Sequence, residues 1–279
     1  MAVMFQAAVR RSLTKLATSA RKRLRLEHSL SELEPDLAAK ELIFRSPPMT
    51  REMVAAVKLI SPQFHLRPTE RSRDFWGRNQ NGLCWGEYEA LAPFLDRLER
   101  PGKVLDIGPG LGRSTIFFKK VRGWESVPFH LYEGSGEMTK YTKAGDRFAD
   151  SFCGDFNALA ETLRYNEITD FEIFDASALG ASLKGLPGVY DFVYSFFAVG
   201  FHWALEHFLD EILERMSERA IGAFTLHDLY TTLHPSLERW PHRIVEFRGS
   251  WPRGRRRRIL MLAKSEGILD GEPAVAPAP

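Results

Sequence analysis

The sequence predicts an α/β protein built on a doubly wound sheet, and three observations support this prediction. Short apolar runs with strand character alternate with segments of helical spacing from residue 103 onward. A glycine-rich turn follows the first of these runs, and acidic residues stand at the ends of the next two. Ligands of open α/β sheets bind along the edge where the parallel strands end, so this edge is where function is expected.

Length and composition favour one sizeable core and exclude several classes of protein. The chain has 279 residues, of which 44% are hydrophobic and 27% are charged, as in ordinary soluble proteins. No apolar run approaches the length of a membrane-spanning helix. The net charge of +2 argues neither for nor against a polyanionic partner. Cys84 and Cys153 cannot form a disulfide framework and lack metal-ligand spacing. A cytoplasmic protein without a metal is expected.

Residues 1–75 are predicted to form a helical extension that begins with a basic amphipathic helix. Residues 1–26 contain arginines and lysines but no acidic residue, and their apolar residues recur at three- and four-residue steps. Three interpretations stay open: a helix in peripheral contact with an anionic membrane, a mitochondrial-type presequence, or a terminal helix packed on its own domain.

A helix is predicted to lead into the first strand of the main domain, which should span residues 76–266. The second half of the segment 74–98 has helical spacing, whereas its first half is polar and contains one tryptophan. That first half is interpreted either as a lid over a ligand site or as a polar loop. The lid candidates are Trp76, Arg78, Asn79 and Asn81.

The central motif is the sequence KVLDIGPGLGRST at residues 103–115. It indicates a short apolar strand, then a tight turn with glycine at alternate positions, then a helix over 114–121. Glycines permit such a turn because no Cβ obstructs a close approach of the backbone to a ligand. A nicotinamide-dinucleotide loop would need glycine at position 113, which is Arg113 here. The motif residues are Asp106, Gly108, Gly110 and Gly112.

This motif resembles motif I of the class I S-adenosylmethionine-dependent methyltransferases. The resemblance implies a Rossmann-like, seven-stranded doubly wound sheet with a C-terminal antiparallel hairpin. It also implies S-adenosylmethionine as cofactor, with Asp106 and the three glycines around its methionine part.

Two acidic strand ends extend the resemblance. A strand over 127–132 ends in Glu133, whose carboxylate could accept hydrogen bonds from both ribose hydroxyls. A strand over 170–174 ends in Asp175 and Ala176, and the resemblance assigns Asp175 to the adenine amino group. Asp155 is the rival for that role. Asp175 is preferred, and residues 143–168 are then interpreted as an enlarged helical insertion before this strand.

Candidate catalytic residues follow the next two strands. The strand over 190–194 ends at Ser195, which is predicted to border the cofactor, and His202 with Trp203 comes shortly after it. A His-Trp pair resembles one found past the fourth strand of several small-molecule methyltransferases. The strand over 220–226 ends in His227 and Asp228, a possible base with an orienting carboxylate.

The last part of the chain is predicted to close the sheet as a hairpin of residues 244–248 and 256–263. Between these strands lies an arginine-rich run from Arg253 to Arg258. It is interpreted as a phosphate-binding site of the acceptor, as a nonspecific contact to nucleic acid, or as a solvated turn. The tail, residues 267–279, is rich in Pro, Ala and Gly and is predicted to be disordered.

The residues after the fourth strand narrow the range of methyl acceptors that the sequence predicts. They read Ser-Phe-Phe-Ala rather than the Asn/Asp-Pro-Pro-aromatic sequence of nucleic-acid amine methyltransferases, and neither cysteine follows a proline as a cytosine nucleophile would. The sequence therefore predicts an enzyme that methylates a small molecule, with a hydroxyl oxygen of a sugar or lipid-linked glycan as the preferred acceptor. Nucleic acid is not the expected partner. An RNA-directed methyltransferase and a noncatalytic protein with the same fold are the alternatives.

Overall fold

The structure is a computed structural model that describes residues 42–43, 45, 70–134, 156–200, 204–226, 235–248 and 256–270. Its helices are α1 (Glu70–Leu95), α2 (Arg113–Val121), α3 (Phe156–Tyr165) and α4 (Leu209–Arg215). Its strands are β1 (Val104–Ile107), β2 (Phe129–Glu133), β3 (Phe171–Asp175), β4 (Tyr190–Ser195), β5 (Met216–Leu226), β6 (His242–Arg248) and β7 (Arg256–Ala263). Short 3-10 helices lie at Asp96–Leu98, Leu183–Gly185, Leu205–His207 and Pro235–Arg239.

The described strands form one seven-stranded sheet in the order β3-β2-β1-β4-β5-β7-β6. Strands β1 to β5 pair in parallel, whereas β7 pairs antiparallel with both β5 and β6. This is the seven-stranded sheet with a C-terminal antiparallel hairpin that the sequence predicted, and the prediction of the class I methyltransferase fold is confirmed.

Both faces of the sheet are covered by apolar packing. Strands β1, β2 and β4 are buried at every position, as expected for central parallel strands with helices on both sides. One core contains residues of α1, α2 and α3, and the other contains residues of α4 and the nearby 3-10 helices. The chain runs from β1 outward to β2 and β3, then returns to β4 on the other side of β1. The switch point of the sheet therefore lies between β1 and β4.

The structure corrects the predicted course of the chain before β1. Helix α1 begins at Glu70 and continues without interruption to Leu95, so the segment predicted as a lid or a polar loop is helical. Asn81 is buried, and its side-chain Oδ1 accepts a hydrogen bond of 2.9 Å from the backbone N–H of Ile43. This buried amide holds the backbone at Ile43 against α1, and the interpretation of Trp76, Arg78, Asn79 and Asn81 as lid residues stays a prediction. The domain limits stay predictions, although α1 runs through the predicted limit at residues 75 and 76.

Strand β5 is longer than the sequence predicted. It begins at Met216, directly after α4, whereas the apolar run alone suggested a start at Ala220. The added residues pair with the start of β4, where Met216 lies opposite Tyr190 and the register shifts before Phe192. Ser217 and Arg219 hold this part because both donate hydrogen bonds to the carboxylate of Asp191. The start of β5 is thus held by polar contacts, which a prediction from apolar runs in the sequence does not detect.

Candidate active site

The glycine turn after β1 has a backbone conformation that requires glycine. Gly108, Gly110 and Gly112 have φ angles of 72°, 59° and 73°, which lie in the left-handed region. The backbone N–H of Gly108 donates to the carbonyl oxygen of Tyr132 at 2.9 Å, which joins the start of the turn to β2. The turn thus lies at the carboxyl edge of the sheet, next to the switch point.

Glu133 ends β2 beneath this turn. Its Oε2 accepts a hydrogen bond of 2.8 Å from the backbone N–H of Gly110, and its Oε1 accepts one of 2.9 Å from the N–H of Gly134. The residue is 2% exposed. Burial raises the pKa of Glu133 to about 8, although the two N–H donors lower it. The edge of the sheet next to the glycine turn thus carries a buried carboxyl group that already accepts two backbone hydrogen bonds.

Asp175 and Ala176 continue the same edge on the next strand. Asp175 lies opposite Glu133 in the register of β2 and β3, and it is partly exposed. Its Oδ1 accepts a hydrogen bond of 2.8 Å from the N–H of Ser177, while the N–H of Ala176 donates to the carbonyl oxygen of Glu133 at 2.8 Å. The structure therefore brings the predicted ribose and adenine residues side by side.

Asp106 lies deeper than the edge, on the face of β1 that packs against α2. Its Oδ2 accepts hydrogen bonds from the Thr115 hydroxyl at 2.7 Å and the Tyr194 hydroxyl at 2.8 Å. Burial raises the pKa of Asp106 to about 7, and the two hydroxyls oppose that rise. Asp106 therefore joins β1, β4 and α2 below the turn, and its predicted proximity to the methionine part stays a prediction.

Gly112 and Ser195 both contact neighbouring residues of the protein. A Cβ on Gly112 would stand 2.9 Å from Leu163 Cδ2 and 3.0 Å from Leu159 Cδ1, so α3 packs directly against the turn. The Ser195 hydroxyl donates to the carbonyl oxygen of Ile107 at 2.7 Å and accepts from the N–H of Val199 at 2.8 Å. Because its one proton is used, we expect Ser195 to shape the edge between β1 and β4 rather than to donate to a ligand.

Arg113 has contacts at this edge that the sequence does not predict. Arg113 is the first residue of α2, and its two Nη atoms donate to the two carboxylate oxygens of Glu87 at 2.8 and 2.9 Å. Its Nη1 also lies 3.1 Å from the Cys84 sulfur, and its guanidinium lies 5.5 Å from the centre of the Phe197 ring.

The paired carboxylate explains how Arg113 is tolerated at this position. A cation at a helix N-terminus opposes the helix dipole, and burial lowers the pKa of Arg113, but Glu87 and Cys84 raise it by more. Burial raises the pKa of Cys84 itself to about 12, so it remains a thiol. A buried glutamate among the apolar residues of α1 is the one sequence signal that could have indicated this ion pair.

The predicted catalytic residues His202, His227 and Asp228 lie outside the described residues, as do Asp155 and residues 1–26 of the basic helix. Among the residues that are described, no group of three or more His, Cys, Asp or Glu side chains could hold a metal ion. In the same part of the chain, no helix has the length and apolar character needed to cross a membrane.

Comparisons with known proteins give structural similarities only. No protein-family model matches the chain, and a search of curated proteins found no match. Among solved structures, the chain is similar to the O-methyltransferase TomG from Streptomyces achromogenes, with 13% identity and a TM-score of 0.45 over 78% of this chain and 91% of that chain. It is also similar to a SAM-dependent methyltransferase from Aquifex aeolicus, with 17% identity and a TM-score of 0.41 over 64% and 93%.

A third similarity is to the plantazolicin methyltransferase BpumL, with 11% identity and a TM-score of 0.43 over 77% of this chain and 97% of that chain. The fold assignment does not depend on these values. The class I methyltransferase fold is defined by the strand order, the switch point between β1 and β4 and the antiparallel β7, all of which the described strands show.

Proposed function

We propose that the protein transfers a methyl group from S-adenosylmethionine to a hydroxyl oxygen of a small-molecule acceptor. The observation that carries this proposal is the contact between the Glu133 carboxylate and the Gly110 backbone N–H at the carboxyl edge of the sheet, next to the switch point. An acidic side chain at the end of β2, next to a glycine turn, suits a ribose whose hydroxyls donate to the carboxylate. NAD is disfavoured because the third glycine of its loop is replaced by Arg113.

The described residues fit this cofactor in three places. The left-handed glycine turn has no side chain at Gly108 or Gly110 that would exclude the methionine part. Glu133 would accept the ribose hydrogen bonds, and Asp175, its neighbour in register, would accept one from the adenine amino group. The sulfonium would supply an electrophilic methyl group, and its leaving group, a neutral thioether, needs no acid.

The protein's own task is then to position the acceptor and remove its proton. Methyl transfer is an in-line displacement, so holding two reactants in line supplies much of the rate. A hydroxyl acceptor also requires a base, and His202 and His227, the latter with Asp228 as its orienting carboxylate, are the candidates that the sequence offers. A hydroxyl acceptor is preferred because the residues from the end of β4 onward, Ser195 to Ala198, lack the sequence that binds exocyclic amines.

The cofactor assignment is tested by calorimetric titration with S-adenosylhomocysteine, S-adenosylmethionine and NAD. We expect the first two ligands to bind. In a titration above pH 8, where Glu133 is ionised, Glu133→Ala should weaken them about 10- to 100-fold, because a hydrogen bond to a charged group contributes about 1.5 to 3 kcal/mol. Asp175→Ala should weaken both ligands by a smaller factor. Glu161→Ala, which removes an exposed carboxylate from α3, is the control and should bind as the wild type does. Binding of NAD alone, or equal binding by Glu133→Ala and the wild type, would contradict the proposal.

A further inference from the structure

Two buried asparagines hold the backbone of a segment that lies far from both of them in the sequence. The side-chain Oδ1 of Asn81 in α1 accepts a hydrogen bond of 2.9 Å from the backbone N–H of Ile43. Asn166, directly after α3, contacts the backbone of Arg45 twice, because its Oδ1 accepts from the N–H and its Nδ2 donates to the carbonyl oxygen, both at 2.8 Å. The two asparagines are 3% and 1% exposed. Asparagine is mostly a surface residue, so two buried copies with backbone partners indicate a specific attachment.

These contacts have the pattern of an extended chain. In an extended chain, the N–H and C=O groups of one residue and of the next residue but one point to the same side. The N–H groups of Ile43 and Arg45 and the carbonyl oxygen of Arg45 all bond to the two asparagines on one side. The side-chain amides thus bind this segment as the edge of a sheet binds a strand. We call Leu42, Ile43 and Arg45 the strap.

The strap joins the two helices that pack against the end of the glycine turn. Helix α1 contacts this end through Arg113, whose Nη1 donates to Glu87 and lies 3.1 Å from the Cys84 sulfur. Helix α3 contacts it at Gly112, where Leu163 leaves no room for a Cβ. Because Gly112 and Arg113 are consecutive, the two helices hold neighbouring residues of the chain from different directions.

The asparagines lie close to the side chains that make these contacts. Asn81 comes three residues before Cys84, a spacing that places two residues on the same face of a helix. Asn166 comes three residues after Leu163, and its backbone N–H donates to the carbonyl oxygen of Leu163 at 3.0 Å. Its Nδ2 also donates to the carbonyl oxygen of Thr162 at 2.9 Å, which fixes the amide on the last turn of α3. A strap that ties α1 to α3 at these points therefore limits how far the glycine turn can open.

We infer that Asn81 and Asn166 are positioning residues for the cofactor, because through the strap they keep the glycine turn in the shape that binds S-adenosylmethionine. They act through α1 and α3 and are not assigned a contact with the cofactor itself. The inference deepens the proposed function and rests on it. It also gives a part of the chain before α1 a role in the cofactor site.

A positioning role couples the strap to the ligand, whereas a merely structural contact does not. If the turn binds the cofactor better while the strap is attached, the cofactor holds the strap in place by the same factor, since coupling between two sites is reciprocal. The backbone N–H groups of Ile43 and Arg45 exchange with solvent when their bonds to the asparagines open. Their exchange rates therefore report the attachment of the strap in the wild type.

The test measures amide hydrogen exchange of the full chain with and without saturating S-adenosylhomocysteine. We expect the ligand to slow exchange at Ile43 and Arg45 about fivefold or more, which is the lower end of the coupling typical between two sites. The N–H of Gly102 is the control within the same molecule. It also donates to a side chain, the carboxylate of Asp191 at 2.6 Å, but at the opposite edge of the sheet, and its exchange should not respond to the ligand.

Variants test the same coupling from the other side. In a calorimetric titration, Asn166→Ala should weaken S-adenosylhomocysteine about fivefold or more, because it loses both contacts to Arg45, and Asn81→Ala should weaken it by a smaller factor. Asp191→Ala is the matched control for a loss of stability, since it also removes a buried hydrogen-bonding group, which has Ser217 among its partners. It should lower the free energy of unfolding in urea and leave the affinity for S-adenosylhomocysteine unchanged.

The outcomes separate the inference from the proposed function. Unchanged exchange at Ile43 and Arg45 with the ligand, or equal slowing at Gly102, overturns the inference, and this decision needs no variant that folds. Equal affinity of Asn166→Ala and the wild type, or an equal loss of affinity in Asp191→Ala, overturns it as well. In each of these cases, binding of S-adenosylhomocysteine by the wild type leaves the proposed function intact. A wild type that does not bind S-adenosylhomocysteine overturns the proposed function and the positioning role together.

Discussion

Replacing Gly112 by alanine tests whether the glycine turn is set by backbone conformation alone or also by packing. Gly112 has a φ of 73°, and a residue with a Cβ in this left-handed region is disfavoured by about 1 to 2 kcal/mol. The new Cβ would also stand 2.9 Å from Leu163 Cδ2, 3.0 Å from Leu159 Cδ1 and 3.2 Å from Leu163 Cγ. These distances are well below ordinary carbon contacts, so the side chains of Leu159 and Leu163, or α3 with them, would have to shift.

The packing cost adds to the backbone cost. Leu159 and Leu163 are fully buried in the core, so they cannot turn aside into solvent. Overpacking of a core costs about 1 to 3 kcal/mol, and with the backbone term we expect Gly112→Ala to lower the free energy of unfolding by about 2 to 5 kcal/mol. That is a large part of the stability of a typical domain.

Gly180→Ala is the matched control in a urea unfolding assay. Gly180 has a similar φ of 64°, but no heavy atom lies within 4 Å of the position of its Cβ. It should therefore lose only the backbone term, about 1 to 2 kcal/mol. In a Leu163→Ala background, Gly112→Ala should cost less than it does alone, since the cavity accepts the added methyl group. If Gly112→Ala and Gly180→Ala lose the same stability, the argument from α3 packing is refuted.

Two further predictions concern the buried charged groups. Between the ordinary pKa of a glutamate and the value of about 8 that burial gives Glu133, the native state holds a proton that the unfolded state has lost. The free energy of unfolding of the unliganded protein should therefore fall as pH rises from about 4.5 to 8, by up to about 1.4 kcal/mol per pH unit. Glu133→Gln should flatten this slope in pH-dependent urea unfolding and leave the part due to Asp106, whose pKa burial raises to about 7; an unchanged slope would contradict the assignment. Glu87→Gln should lower the free energy of unfolding by about 3 to 5 kcal/mol, because it leaves the buried Arg113 without its carboxylate. Glu89→Gln, on the exposed side of α1, should lower it by less than about 1 kcal/mol in the same assay. Equal costs for the two glutamates would show that the buried ion pair contributes nothing specific.

The sequence was sufficient to predict the presence of the seven strands, although not the start of β5, and the glycine turn, because their signals are local. Central parallel strands are continuous apolar runs, and the glycines of the turn are required by φ angles that the chain itself adopts. The positions of Glu133 and Asp175 followed as well, since both come at the end of a strand and parallel strands end at one edge. These predictions needed no knowledge of which helix packs where.

The contacts that sequence analysis missed all depend on tertiary packing. The polar first half of α1 has no clear apolar stripe, and its helical state was masked by residues typical of loops. The pairing of Arg113 with Glu87 joins two helices, and neither residue belongs to a local motif. The contact of Arg257 with Phe197 depends on the register between β5 and β7, which an apolar pattern alone does not specify.

The missed contacts form one continuous path across the site. Glu87 of α1 binds Arg113 at the end of the glycine turn, Arg113 lies over Phe197 beyond β4, and Arg257 of the hairpin lies over the same ring. The first residue of α2 and the start of β7 thus contact one aromatic ring. Since Phe197 is held in a strained conformation, a shift of either arginine changes what holds the ring in place. The contacts of Phe197 therefore connect the glycine turn to the C-terminal hairpin, in addition to the pairing of the strands in the sheet.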